Sequence, residues 1–191
     1  MIQVVALPDV RRRRGAPEAS LAPFFARLHR RLWTEVVAIA ISWPRLDKAL
    51  VALIGPRWAL GRWRVSGMVR RALADPLRTI LVGHGDGARI VHDVARVQPV
   101  GLLVTMGTGS AALGYGRHAP AAETIPPASP WLHLGRPGDP WAGPVSRACM
   151  IWLPDRGLGG LDAHDGTAYW TEDAAEAIAR AWHRRHDEAM A

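Results

Sequence analysis

Thr79–Val94 reads T-I-L-V-G-H-G-D-G-A-R-I-V-H-D-V, and the reading of this stretch decides the fold. Ile80, Leu81 and Val82 form a short apolar run entering Gly83-His84-Gly85-Asp86-Gly87. Ala88, Ile90, Val91 and Val94 then follow helical spacing. The frame Gly-x-Nuc-x-Gly serves a sharp strand-to-helix turn, in which small flanking residues let the backbone reverse and hold one side chain at the sheet edge. The central position here is Gly85, which has no side chain to present. The stretch is a nucleophile elbow with its nucleophile vacant.

Outward from the elbow, strand-like and helix-like segments alternate. Ile2–Leu7 has a buried-strand pattern and leads into the loop Pro8–Ala19. Leu21–Trp33 has helical periodicity, with Ser20 as the expected N-cap. Val36–Trp43 is a β-branched apolar run stopped by Pro44, read as a second strand. Leu46–Leu73 holds two helical stretches interrupted at Gly55-Pro56 and near Gly61. After the elbow, Val100–Met106 is another apolar strand, and Ala111–Pro130 is a Pro/Ala/Gly-rich loop. Trp131–Leu134 and Ala148–Leu153 read as two more short strands. A helix over Thr171–Arg185, capped by Thr171 and carrying Glu172 and Asp173 in its first turn, closes the chain. Continuously apolar strands alternating with helices predict α/β architecture: a mostly parallel sheet covered by helices on both faces.

The chain has 191 residues and is 49% hydrophobic, enough for one domain with a core of its own. Its net charge is +7, almost all of it from scattered arginines, and no basic helix alternates with aromatic residues. Nucleic acid is therefore not the expected partner. Cys149 is the single cysteine, so no internal disulfide can form, and its apolar surroundings predict burial. No charged amino-terminal region precedes a long apolar stretch, and no apolar run is long enough to span a bilayer, so a cytoplasmic protein without membrane contact is expected. No histidine or cysteine spacing matches a metal signature, and neither a metal nor a cofactor is expected.

Three patterns resemble the α/β-hydrolase superfamily, particularly its compact lipase- and esterase-like members. The first is the elbow, where many such enzymes carry Gly-His-Ser-x-Gly. The second is Trp131-Leu132-His133-Leu134-Gly135-Arg136-Pro137-Gly138-Asp139-Pro140, a strand and loop like those bearing the triad acid. The third is Ala163-His164-Asp165-Gly166-Thr167-Ala168-Tyr169-Trp170, which looks like the loop that supplies the triad histidine. The resemblance covers most of the chain from about Val36 onward. It implies a single α/β-hydrolase-like domain over residues 1–191, with Asp139 and His164 as a residual acid and base and Gly85 at the nucleophile position. The order nucleophile, acid, histidine agrees with that fold.

The sequence departs from the family at two places. Gly85 offers no hydroxyl for a histidine to deprotonate. The first strand runs into Leu7-Pro8-Asp9-Val10 where such hydrolases carry a His-Gly pair that helps form the oxyanion hole, and Pro8 has no backbone N–H to donate. Asp86 is a weaker nucleophile candidate, because His84 and Ala88 would then fill the glycine-like positions and His84 is bulky. A carboxylate at Asp86 also suits a helix start. Ser110, just beyond a strand end, more simply reads as a turn residue.

The other histidines have plainer expected roles. His84 should point away from the site, His92 and Asp93 should face solvent or make a structural hydrogen bond, and His183 and His186 should sit at the negative end of the last helix. Trp58 and Trp63 are candidates for an apolar wall or lid over the pocket. Arg11, Arg12, Arg13 and Arg14 read first as a solvated loop, with an anion contact at the pocket mouth or an acidic docking partner as alternatives.

Two functions are compatible with these residues. The leading one is a degenerate hydrolase-like module that binds a small molecule or a protein. The alternative is a non-covalent hydrolase, cyclase or lyase in which His164 and Asp139 transfer protons.

Overall fold

The computed structural model describes residues 18–32, 37–43, 64–109, 128–145 and 147–190. The expectations for Ile2–Leu7, Pro8 and Asp9, Arg11–Arg14, Trp58, Trp63 and Ser110 lie outside these residues.

Eleven elements are used below: α1 (Glu18–Arg31), β1 (Val37–Trp43), α2 (64–72), β2 (Thr79–Gly85), α3 (Asp86–Val97), β3 (Leu102–Met106), β4 (Trp131–Gly135), β5 (Cys149–Trp152), α4 (Gly160–His164), α5 (Gly166–Tyr169) and α6 (Glu172–Met190). The strands form one sheet in the order β1-β2-β3-β4-β5. Every pairing is parallel, with Val82 opposite Val104 and Val104 opposite Leu132. The described chain is thus an α/β fold with a parallel sheet.

The period of two along each strand sorts its side chains between two cores. Ile80, Val82, Val104, Leu132 and Leu134 meet Phe24 and Leu28 of α1 and Ile178 and Trp182 of α6. Leu81, Leu103 and Trp131 face the other way, against Val65 and Val69 of α2 and Ile90, Val91 and Val94 of α3. Burial on both faces explains why β2, β3 and β4 lack polar alternation.

Several local expectations change. α1 begins at Glu18, so Ser20 falls inside its first turn and is not its N-cap. Glu18 and Ala19 are good helix formers, and they carry the helix past the serine. Thr171 does precede α6, and its hydroxyl accepts the Ala174 N–H at 3.4 Å, but the helix continues to Met190. His183 therefore lies within α6, and its Nε2 meets the carbonyl of Arg31, at 3.0 Å, at the end of a different helix, α1. Cys149 is exposed, contrary to its apolar neighbourhood. Among the described strands β5 is the last of the sheet, paired with β4, and its side chains are only partly covered. No helix among the described residues is long and apolar enough to cross a membrane.

Candidate functional site

The C-terminal ends of the parallel strands gather the residues singled out above. At the end of β2 the backbone must turn sharply into α3. Gly83 allows this because a Cβ there would lie 2.5 Å from the Gly87 carbonyl oxygen and 2.6 Å from the Ala88 Cα. Gly85 makes the turn itself at φ 59° and ψ −126°, the backbone of the first central residue in a type II′ turn. It is the residue immediately before α3. Asp86 is the first residue of that helix and half-buried, where its charge suits the positive end of the dipole.

At the end of β4, Arg136-Pro137-Gly138-Asp139 leaves the sheet through a second tight turn. Gly138 has φ 82°, and a Cβ on it would come within 2.2 Å of the Leu158 carbonyl oxygen. The Gly138 carbonyl accepts the Gly160 N–H at 3.1 Å, which docks the start of α4 on this loop. His164 is the last residue of α4, so the same tie carries its imidazole towards Asp139.

The imidazole Nδ1 of His164 lies 3.1 Å from Oδ2 of Asp139. The phenol of Tyr169 donates to that oxygen at 2.6 Å, and the backbone N–H of Trp141 donates to Oδ1 at 2.8 Å. Burial alone raises the pKa of Asp139, but hydrogen bonds from His164, Tyr169 and the Trp141 N–H outweigh it and hold the carboxyl below its ordinary value. Burial, followed by the bond to Asp139 and its negative charge, pushes the Tyr169 phenol up, so it stays a neutral donor. A carboxylate on Nδ1 fixes the tautomer that protonates this nitrogen and leaves Nε2 as the basic atom. Among the described residues, Nε2 of His164 is buried without a hydrogen-bond partner, and the Trp141 ring covers the imidazole at a centroid distance of 4.4 Å.

His84 does not point away from this site. It is 2% exposed and packs against His164 at 5.2 Å and Tyr169 at 5.1 Å between ring centroids. Gly107, at φ 59°, makes room for it, because a Cβ there would lie 2.8 Å from the His84 Nε2. Alternation along β2 explains the direction, since His84 shares the face of Ile80 and Val82 that α6 and its leading turns cover. Burial, then the neighbouring His164, lowers its pKa to about 4. His92, by contrast, is buried beside Trp131 at 5.1 Å and so has a structural place in the other core.

Sequence reasoning gave Tyr169 and Arg136 no role. A signal existed for Tyr169, because a buried tyrosine needs a partner for its hydroxyl and this one lies five residues past the candidate histidine. Arg136 is fully buried with its guanidinium 5.8 Å from the Tyr169 ring centre and Nη1 on the Pro154 carbonyl at 2.6 Å. Nothing local in the sequence announces that burial.

Tyr169→Phe should cost about 1.5–3 kcal/mol, because it leaves a buried carboxylate short of a charge-assisted donor. Equilibrium urea denaturation reads this directly, and unchanged stability would show that water replaces the phenol.

No family model, curated protein or solved structure matches the chain. The site must therefore be interpreted from its own chemistry. No group of three or more His, Cys, Asp or Glu side chains suited to a metal occurs among the described residues.

Proposed function

We propose that this chain is a degenerate α/β-hydrolase-fold protein, a pseudoenzyme that works as a small-molecule or protein-binding module. One observation carries the reading. Gly85 occupies the strained turn between β2 and α3 with no side chain to present, while an acid–imidazole pair, Asp139 and His164, stands 3.1 Å apart at the same edge of the sheet. A serine at that turn would restore the nucleophile that such a pair activates, and glycine removes the step that forms the covalent intermediate. The remaining pair then works as a fastening, with Asp139 joining three segments of chain.

The second reading is proton-transfer catalysis without a covalent intermediate, as in a hydrolase, cyclase or lyase. It is favoured by Nε2 of His164, which Asp139 orients through the other ring nitrogen and which bonds to no group among the described residues. Hydrolysis of p-nitrophenyl acetate separates the two. The binding module gives no rate above that of free imidazole, whereas the enzyme gives an excess that His164→Ala removes.

Gly85→Ser tests the elbow. The native protein should not react at the elbow with a fluorophosphonate probe, and labelling of any serine in it would show that the nucleophile has been misplaced. In Gly85→Ser, weak labelling should appear and vanish when His164→Ala is added. The positive φ penalises any side chain, so stability should also fall by about 1–2 kcal/mol. Labelling should be slow, because a missing oxyanion donor alone costs on the order of 10²–10³ in rate. Labelling that survives His164→Ala would sever the link between the turn and the pair.

A further inference from the structure

The two helical layers differ in how their arginines are paired. Around α1 and α6, Arg27 and Arg31 meet Glu172, Arg156 meets Asp173, and Arg180 meets Glu176. On the opposite layer, Arg64 and Arg71 of α2 and Arg89 of α3 are exposed and make no ion pair among the described residues. We infer that the outer face of α2 and α3 is a docking surface for a protein partner that presents an acidic helix.

Each helix sorts its charges outward. Val65 and Val69 of α2 are buried, which turns Arg64, Met68 and Arg71, at positions i, i+4 and i+7, to solvent. In α3, Ile90, Val91 and Val94 are buried, and Arg89, Asp93, Arg96 and Val97 make the outer stripe. Both helices share one core on one face of the sheet, and both end where the chain enters a strand of that sheet from the same edge. The two stripes therefore run side by side in the same direction. Arg64 and Arg71, like Arg89 and Arg96, are two helical turns apart, about 10.5 Å along the axis. A partner helix with carboxylates repeating every seven residues has that same spacing.

The nearby carboxylates do not cancel this charge. Asp75 accepts the Arg78 N–H at 3.3 Å, and half-buried Asp93 lies 3.9 Å from Nδ1 of His92. Two apolar side chains lie within the stripes, Met68 at 47% exposure and Val97 at 70%. Arginine and methionine together are typical of protein interfaces, whereas a phosphate backbone has nothing apolar to set against Met68 and Val97. That mixture favours a protein over a nucleic acid. Arginine also gives up water more readily than lysine, which suits a charge that must be covered on docking.

The test uses a fluorescent synthetic peptide repeating Glu-Leu-Ala-Ala-Glu-Leu-Ala over three heptads, read by anisotropy. A peptide with Gln at every Glu position and a short DNA duplex are the references. Saturable binding of the acidic peptide, absent with the Gln peptide, supports the surface. Arg64→Glu combined with Arg71→Glu, and separately Arg89→Glu, should each weaken binding about tenfold or more, and Met68→Ala about threefold. Arg180→Glu, on the other layer, should leave the affinity unchanged. All these side chains are exposed, so circular dichroism should show the native fold in every variant. No saturable binding, equal binding of the Gln peptide, or an equal loss with Arg180→Glu would overturn the inference. Tighter binding of the duplex would also overturn it and assign the surface to nucleic acid. None of these outcomes depends on whether Gly85→Ser acquires labelling, so this surface and the elbow reading stand or fall separately.

Discussion

Gly83→Ala should destabilise the protein by about 3 kcal/mol or more, a large share of the roughly 5–15 kcal/mol typical of a domain. The added methyl would meet the Gly87 carbonyl oxygen at 2.5 Å, the Val91 side chain at 2.5 Å and the Ala88 Cα at 2.6 Å. Two of those atoms belong to the backbone of α3 and cannot rotate away. Relief requires α3 to lift from β2, which opens the core formed by Leu81, Val91 and Val94. Gly157→Ala is the matched control. Gly157 has φ 66° but nothing within 4 Å of a new Cβ, so only backbone strain is charged, about 1–2 kcal/mol. Chemical denaturation of the two variants compares close packing with conformational strain. Equal losses would mean that α3 does not sit on Gly83 as described.

The second large effect is acid sensitivity. His84 and His133 are both held neutral by burial, with pKa values lowered to about 4 against roughly 6.5 in an unfolded chain. Between those values the unfolded state binds protons that the folded state refuses, so stability rises with pH. The contribution is complete above about pH 6.5 and is lost as pH falls towards 4, with an upper limit of roughly 3 kcal/mol for each histidine. Asp139 acts in the same direction lower down. Its folded pKa is depressed, so its contribution is present above the ordinary Asp value and is lost as pH falls through the folded one. Urea denaturation from pH 8 to 4 should show a slope approaching two protons near pH 5. A flat profile between pH 7 and 5 would mean that these rings are accessible to water in the native state.

The residues whose neighbours lie within the same strand or turn were the legible ones. Continuous apolar runs marked β2, β3 and β4 because each is covered on both faces, and glycine spacing marked the turn at Gly85. Thr171 was readable as a cap because capping is a local bargain between a hydroxyl and the next turn. Cys149 was not, since the exposure of an apolar run depends on whether its strand ends the sheet. His84 was misread for a related reason. Its face of β2 follows from alternation, but what covers that face arrives about 80 residues later in sequence, with His164 and Tyr169. Arg136 was silent, because a buried guanidinium held by a backbone carbonyl and a ring leaves no pattern along the chain.

The Asp139 carboxylate has a consequence for how the protein moves. Its partners His164 and Tyr169 follow it by 25 and 30 residues and both meet Oδ2, so one oxygen atom holds together a span that includes the partly exposed β5 and both short helices. Helices of one turn have little persistence of their own, and their lifetime is borrowed from whatever pins their ends. While the carboxylate is charged and fully bonded, that span has no cheap way to fray from one end. It opens as one cooperative unit or stays shut, which makes a single ionisable group the latch on about a sixth of the chain.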